Sequence, residues 1–242
     1  MLNIPVIAKR EIKAYFLSPA AYMVLTSVAL TQGLFFAIYA GGPRVEPDRV
    51  LQFVLWVSLY LMVVAAPIIA MRLLSQERAD GTVEILMTSP VRVVDVVVGK
   101  YVASLLLGVS LMVPLLLQTA FLCAVGDPDP GVIMGGFLGL YLVTAQFLSV
   151  GLFCSALTRT QIGSAISGFA VLIALFFVWL TVRDRTSTLA RIFRYLAPQM
   201  HYGSFVKGLV DTRHVVYFVG TTLLFLVWTM LATRSARWRA IA

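Results

Sequence analysis

Long apolar runs separated by short polar segments make up most of the chain. A membrane-spanning helix requires about 20 predominantly apolar residues. Six stretches reach this length, at residues 20–40, 51–71, 99–125, 131–157, 162–182 and 215–233. Lys100 is the single Asp, Glu, Lys or Arg within them, and its place beside an end predicts that it snorkels to the interface. The pattern predicts an all-α polytopic membrane protein with six transmembrane helices, forming one domain over residues 1–242.

The segment before the first span, residues 4–17, is too charged to cross a membrane. Its apolar residues recur at helical spacing, whereas Lys9, Arg10 and Lys13 occupy much of the remaining surface. This pattern favours an N-terminal amphipathic helix that lies in the membrane interface. A solvated basic segment is the alternative.

Prolines mark where several helices are expected to begin or bend. A residue with a capping oxygen precedes a proline at Ser18-Pro19, Ser89-Pro90 and Asp129-Pro130. Each pair is typical of a helix start, because proline is tolerated at the first helical position. Pro67 and Pro114 lie inside apolar runs and therefore predict kinks.

Composition narrows the class of protein. Hydrophobic residues account for 60% of the chain and charged residues for 12%, against roughly 45–50% and about 25% in soluble domains. This excludes a water-soluble enzyme, because so few charged residues do not cover a soluble globule of 242 residues. The net charge of +8 is read as membrane topology in preference to nucleic-acid binding. With the N-terminus inside, eleven of the 19 basic residues are cytoplasmic, which predicts that both termini are cytoplasmic.

The predicted inner segment, residues 72–98, combines charged and apolar side chains. Charges cluster between Arg72 and Asp80, where the chain leaves the second span. Gly81 supplies a break, and Thr82 is placed to cap a short helix that carries Leu86. A short helix between two spans is a docking surface for a cytoplasmic partner. On composition alone, a solvated loop is an equal alternative.

The most distinctive motif of the chain lies in this segment and reads Glu77-Arg78-x-x-Gly81-Thr82-x-Glu84-x-Leu86-x-Thr88-x-Pro90, with Gly99-Lys100 following. It resembles the cytoplasmic loop of ABC type-2 exporter permeases. Three further motifs resemble the same family, namely Arg10-Glu11-x-x-x-Tyr15-Phe16-x-Ser18-Pro19, Leu157-Thr158-Arg159-x-Gln161 and Ser204-Phe205-x-x-Gly208-x-x-Asp211-x-Arg213. Together they extend over nearly the whole chain, and they most resemble the gliding-motility-type permease subgroup.

The resemblance implies a permease of the bacterial plasma membrane whose segment 72–98 acts as the coupling segment for a separate ATPase. The residues expected at that interface are Glu77, Arg78, Gly81, Thr82, Glu84, Leu86 and Pro90. The implied partners are two copies of an ABC ATPase subunit, which bind the ATP and Mg, and a second permease chain, identical or related. Membrane lipid is a further partner, an auxiliary extracytoplasmic protein is left open, and nucleic acid is not expected.

No catalytic, cofactor or metal site is expected in the chain itself. The sequence contains no G-x-x-x-x-G-K-[ST] phosphate loop, so ATP hydrolysis is assigned to the partner. Apart from Lys100, the six runs lack the ionisable residues that ion-driven carriers use. We therefore expect a permease that couples a partner's ATP hydrolysis to export or to a conformational signal. A non-transporting membrane scaffold and an ion-independent facilitator are the alternatives.

Two other features concern packing and the predicted outer loop, residues 183–214. Gly131, Gly135 and Gly139 recur every four positions, which predicts close helix packing within the chain or against a second permease. Two apolar pieces of the loop, at residues 189–196 and 205–210, are expected to form short interfacial helices. His201 and His214 stand where the resemblance leads us to expect acidic or other polar residues, and two histidines do not predict a metal site.

Overall fold

The computed structural model describes residues 4–42, 46–75, 92–178 and 188–241. Helices occupy nearly all of these ranges, and no strand occurs within them. The helices are α1 (Ile4–Phe16), α2 (Pro19–Ala40), α3 (Pro47–Ala70), α4 (Val93–Ser110), α5 (Val113–Val125), α6 (Pro130–Leu157), α7 (Gln161–Phe177), α8 (Thr188–Leu196), α9 (Pro198–Val206) and α10 (Thr212–Ile241).

Five helical stretches in the described ranges are long and apolar enough to cross a membrane. They are Pro19–Ala40, Pro47–Ala70, Val93–Val125, Pro130–Leu157 and Thr212–Arg234. The fifth predicted span, residues 162–182, corresponds to α7, which is apolar but has 17 residues in the described range. The rest of that span, from residue 179, lies outside the described residues. The structure therefore gives a multi-pass helical protein, and the sixth span stays a prediction.

Prolines begin several of these helices. Pro19 and Pro130 are the first residues of α2 and α6, as the sequence predicts, while Ser89-Pro90 lies outside the described residues. At α6, the Asp129 carboxylate accepts a hydrogen bond from the Gly131 N–H at 2.9 Å, which satisfies one of the free donors of the first turn. Two further helices, α3 and α9, also begin with a proline, at Pro47 and Pro198, without a side-chain cap.

The two internal prolines behave differently. Pro114 follows a break between α4 and α5 at Leu111–Met112, so the predicted kink is an interruption of the helix. This position suits proline because its missing N–H is not needed in a first turn. Pro67, in contrast, lies inside α3, which continues through it as one helix.

Helix α6 is the centre of the bundle. It packs against α3, α4, α7, α9 and α10, and most of its residues are buried. Helix α2 has the opposite character, because only Ala21, Val28 and Gln32 are buried along its length. Since α2 is apolar on its exposed surface as well, that surface suits a lipid environment. The two ends of α6, with the helices that meet there, hold the polar side chains described below.

Candidate coupling site

The predicted coupling residues Glu77, Arg78, Gly81, Thr82, Glu84, Leu86 and Pro90 all lie outside the described residues. The structure does describe the chain on both sides of them, up to Ser75 and from Arg92 onward. These two flanks meet the carboxyl end of α6 and the N-terminal helix α1. The geometry of the flanks therefore defines how the segment is attached to the bundle.

Ser155, near the end of α6, holds the first flank. Its hydroxyl oxygen accepts hydrogen bonds from the Leu74 N–H at 3.1 Å and the Ser75 N–H at 3.0 Å. The same hydroxyl donates to the Met71 carbonyl at 3.3 Å. Ser155 is fully buried, and no water reaches its hydroxyl. Without this hydroxyl, the backbone groups that it contacts would lose a hydrogen-bond partner that water does not replace in the interior. The chain leaving α3 is thus fixed to α6 by one small side chain.

Helix α1 also contacts the end of α3. The Tyr15 hydroxyl donates to the Ile69 carbonyl at 2.9 Å. Burial raises the pKa of the Tyr15 hydroxyl above its usual range, Glu11 raises it further, and Arg72 lowers it, so Tyr15 stays a donor at neutral pH. Arg72 in turn donates to the Ser18 hydroxyl between α1 and α2. The start of the chain and the exit from α3 are therefore held as one polar assembly.

Lys100 fixes the second flank to the same helix. Its ammonium Nζ lies 3.1 Å from Glu11 Oε1, and the two side chains are 2% and 14% exposed. Arg10 lies 3.2 Å from the same carboxylate oxygen. The predicted snorkelling of Lys100 is wrong, because the ammonium points into the protein and is neutralised by a carboxylate there. A Cβ at Gly99 would lie 3.0 Å from Ile7, so α1 and α4 are in close contact.

Sequence reasoning missed Glu11 as the partner of Lys100. A signal for it existed, since Ile7, Glu11 and Tyr15 recur at four-residue spacing and therefore lie on one face of α1. That face meets the bundle, while Lys9, Arg10 and Lys13 on the other side are exposed. A carboxylate on the packed face of a basic helix indicates a buried cation opposite it.

The predicted glycine stripe lies at the other end of α6. A Cβ at Gly135 would lie 2.8 Å from the Phe205 carbonyl oxygen, and one at Gly139 would lie 2.5 Å from the Phe205 Cβ. Gly131 approaches Gly208, which has φ +76°, a conformation suited to glycine. The stripe is therefore occupied by α9 and the turn after it, within the chain. Contact with a second permease through this stripe stays a prediction.

The family model described as ABC-2 family transporter protein matches residues 11–236. The chain belongs to the ABC-2 transporter family. No curated protein matches it. The match extends from Glu11 on α1 into α10, so it covers both flanks of the candidate coupling segment. The protein is thus a multi-pass membrane permease of an ABC transporter, a class that works with an ABC ATPase.

At the amino end of α6, this ABC-2 chain holds a cluster of aromatic and polar side chains. His201 Nδ1 lies 2.7 Å from His214 Nδ1, and His201 Nε2 lies 2.7 Å from the Tyr195 carbonyl oxygen. The Ser204 hydroxyl lies 3.0 Å from His214 Nε2. The His201 ring stacks on Tyr217 with centroids 3.9 Å apart. Within the described residues, no group of three or more His, Cys, Asp or Glu is placed to hold a metal.

Neutral polar side chains link the helices of this family member deeper in the bundle. Gln32 donates to Ser58 at 2.7 Å, joining α2 to α3. Gln146 donates to Thr221 at 2.9 Å, joining α6 to α10. In hydrocarbon, such bonds give helix contacts the specificity that apolar surfaces lack. These residues therefore act in packing between helices.

Proposed function

We propose that this chain is the permease of an ABC exporter in which segment 72–98 receives the movement of a separate ATPase. The ATPase subunits bind and hydrolyse the ATP and Mg, and two permease chains work with two ATPase subunits. The chain crosses a bacterial plasma membrane six times with both termini in the cytoplasm, as a member of the gliding-motility-type subgroup. The observation that carries this proposal is the anchoring of both flanks of the segment to the bundle.

The two anchors give the segment a mechanical connection. Ser155 ties the first flank to α6, and the Lys100–Glu11 pair ties the second flank to α1. Tyr15 joins α1 to α3, so the two anchored flanks are also connected to each other. A displacement of the segment therefore moves α1, α3, α4 and the end of α6 together. Coupling requires such a stiff attachment, since a flexible tether would absorb the movement of the ATPase.

The choice of energy source rests on the same residues. Lys100 is the single Asp, Glu, Lys, Arg or His in the predicted spans, and its pairing with Glu11 makes it structural. A proton- or ion-coupled carrier needs a group that titrates or binds an ion within the membrane. The neutral glutamines of the spans do not titrate. This supports ATP hydrolysis by the partner as the driving force.

The central experiment tests the coupling interface. The triple variant Glu77→Ala, Arg78→Ala, Glu84→Ala is compared with the wild-type chain for co-purification with its ATPase and for ATP hydrolysis in nanodiscs. Removing one partner of a buried charged contact costs about 2–5 kcal/mol, so we expect loss of association or uncoupled hydrolysis with normal membrane insertion.

The matched control removes an exposed pair of the same chemistry at the opposite end of α3. Glu46 and Arg49 lie 3.1 Å apart with side chains 72% and 71% exposed, so Glu46→Ala, Arg49→Ala should leave association unchanged. Normal co-purification and activity in the triple variant would show that the segment is a solvated loop. Association without any substrate-stimulated hydrolysis in the wild-type complex would favour a membrane scaffold.

A second experiment addresses topology. Cys123 and Cys154 are replaced by serine, and single cysteines are then introduced as Asn3→Cys or Thr186→Cys. An impermeant thiol reagent added to intact cells should label position 186 and leave position 3 unlabelled. Labelling of position 3 from outside would contradict the proposed orientation.

A further inference from the structure

The ring nitrogens of His201 and His214 form one continuous chain of hydrogen bonds whose proton positions are determined by its ends. The Tyr195 carbonyl only accepts, so His201 Nε2 carries a hydrogen and donates to it at 2.7 Å. In a neutral His201, Nδ1 is then an acceptor, and His214 Nδ1 must donate across the 2.7 Å contact. His214 Nε2 is left as the acceptor for the Ser204 hydroxyl at 3.0 Å.

This arrangement limits how many protons the pair binds. One further proton has a place at His214 Nε2, because the Ser204 hydroxyl rotates and accepts instead of donating. A second further proton has to enter at His201 Nδ1, where it faces the N–H of His214 at 2.7 Å. Two N–H groups do not share that contact, so the doubly charged pair separates.

We propose that His201 and His214 form an acid-operated latch, which holds α9 against α10 while the pair carries at most one positive charge and opens when both imidazoles are protonated. The proposal does not depend on the proposed function. The ligand of this site is the proton, and the moving part is α9 together with the last residues of α8.

The surroundings oppose a charged pair. His201 is 5% exposed, and burial lowers its pKa, while its bond to the Tyr195 carbonyl raises the pKa and His214 lowers it. Within the described residues, no carboxylate forms an ion pair or hydrogen bond with either ring. The Asp211 carboxylate accepts instead from the Arg213 N–H at 2.9 Å.

The titratable side chains on the elements packed around the pair are mostly cationic or phenolic. They include Arg191, Arg194 and Tyr195 on α8, Tyr202 on α9 with Lys207 after it, Asp211 before α10, Arg213, Tyr217 and Arg234 on α10, Tyr141 and Cys154 on α6, and Asp48, Arg49 and Tyr60 on α3. Gln146 of α6 is neutral and donates toward the Tyr217 hydroxyl at 3.4 Å.

The position of α9 gives the latch its mechanical effect. Tyr202 donates to the Leu55 carbonyl of α3 at 3.1 Å, and Phe205 packs on Gly139 of α6. The last carbonyls of α8 accept from His201 Nε2 and from the Tyr217 hydroxyl, the latter at 2.6 Å to Leu196. Helix α9 is thus a wedge among α3, α6 and α10. Opening of the latch removes one of the contacts that keep the wedge in place.

The direction of the pH effect follows from proton counting. An undocked imidazole titrates near 6.5, and the open latch binds two protons on the pair, whereas the closed latch binds at most one. Opening therefore takes up at least one proton below pH 6.5, and the population of the open state should rise at least tenfold for each pH unit of acidification. Above pH 6.5 the populations of the open and closed states should not depend on pH.

The experiment uses the fact that the sequence contains two histidines. The full chain, purified without a polyhistidine tag and placed in nanodiscs, carries ¹⁵N-labelled histidine, so the NMR spectrum reports this pair alone. We expect two separate titration steps, with the scalar coupling between the Nδ1 atoms kept through the first and lost in the second. Two independent titrations near pH 6.5, or coupling that persists in the doubly protonated pair, would overturn the proposal.

Hydrogen exchange of the α9 amides, corrected for the chemical exchange rate, reports the movement itself. In the wild type, the rate should rise at least tenfold per pH unit below pH 6.5. The variant His214→Asn removes one titrating ring. Its side-chain amide donates to or accepts from His201 Nδ1, so the exchange rate of the α9 amides should not rise on acidification. Ser204→Ala should alter the first titration step and leave the second in place. Exchange at α9 that is independent of pH in the wild type would contradict the latch without requiring any variant to fold.

Discussion

At its carboxyl end, α6 meets a charged assembly in which Lys100 pairs with Glu11 and Ser155 binds the backbone N–H groups of Leu74 and Ser75. At its amino end, roughly 40 Å away by the length of 28 helical residues, it meets α9 through glycines and a neutral chain of imidazoles and hydroxyls. The contacts at the carboxyl end are held by opposite charges in a fixed geometry. The contacts at the amino end depend on the close approach of backbones and on side chains that carry no charge.

This difference predicts different sensitivities. A buried ion pair is vulnerable to the loss of either partner, because the remaining charge has lost its compensation in the interior. A glycine contact is vulnerable to added volume, because packed neighbours move little. The charged end is therefore suited to transmit force from a partner through a stiff attachment. The neutral end is suited to respond to protonation.

Glu11→Gln is expected to have the largest effect. It removes the Glu11 carboxylate that lies 3.1 Å from the buried Lys100 ammonium, and breaking such a pair costs about 3 kcal/mol or more. The measurement is the free energy of unfolding in mixed detergent micelles. The variant should also reduce ATPase coupling in the assembled complex, because α4 is then released from α1.

A double variant provides the control for this prediction. Glu11→Leu, Lys100→Met replaces both partners by apolar side chains, and such replacements are often neutral. The double variant should therefore regain most of the stability that Glu11→Gln loses. Wild-type stability in Glu11→Gln would show that the pair at 3.1 Å does not hold α1 to α4.

Gly139→Ala is expected to have a smaller effect, at the opposite end of α6. The added Cβ would lie 2.5 Å from the Phe205 Cβ, and overpacking of this kind costs about 1–3 kcal/mol. The same unfolding measurement checks it, and hydrogen exchange of the α9 amides should increase. Gly33→Ala is the matched control, since nothing lies within 4 Å of its Cβ position in α2. Equal stability of the two variants would mean that α9 moves to accommodate the added Cβ without a loss of stability.

Hydropathy and local capping account for the parts of the fold that the sequence predicts well. The fourth apolar run, residues 131–157, coincides with α6 because Asp129-Pro130 caps its start and Thr158 ends it. The contact between Glu11 and Lys100 joins residues 89 positions apart, and no local pattern specifies which residue lies opposite. Pairing of this kind depends on the tertiary packing of α1 against α4.

The short helix α9 was harder still to predict, since it spans Pro198–Val206 and the sequence predicts a helix at residues 205–210. Its sequence includes His201 and Ser204 beside aromatic residues, a mixture typical of an interfacial segment. In the structure, Tyr202 and Phe205 are fully buried, because α6 offers glycines where they pack. The glycine stripe signalled a close approach, but its spacing did not reveal which element approaches. The partner became evident only from the fold.

The smallest predicted effect concerns the cap of α6. Asp129→Ala removes the carboxylate that accepts from the Gly131 N–H, and loss of such a cap costs about 1 kcal/mol. Because this end of α6 relies on uncharged contacts inside the bundle, the loss should stay local and leave ATPase coupling intact. Asp127→Ala, at an exposed position two residues earlier, is the control and should keep wild-type stability. If Asp129→Ala uncoupled the ATPase as strongly as Glu11→Gln, the two ends of α6 would not be mechanically distinct.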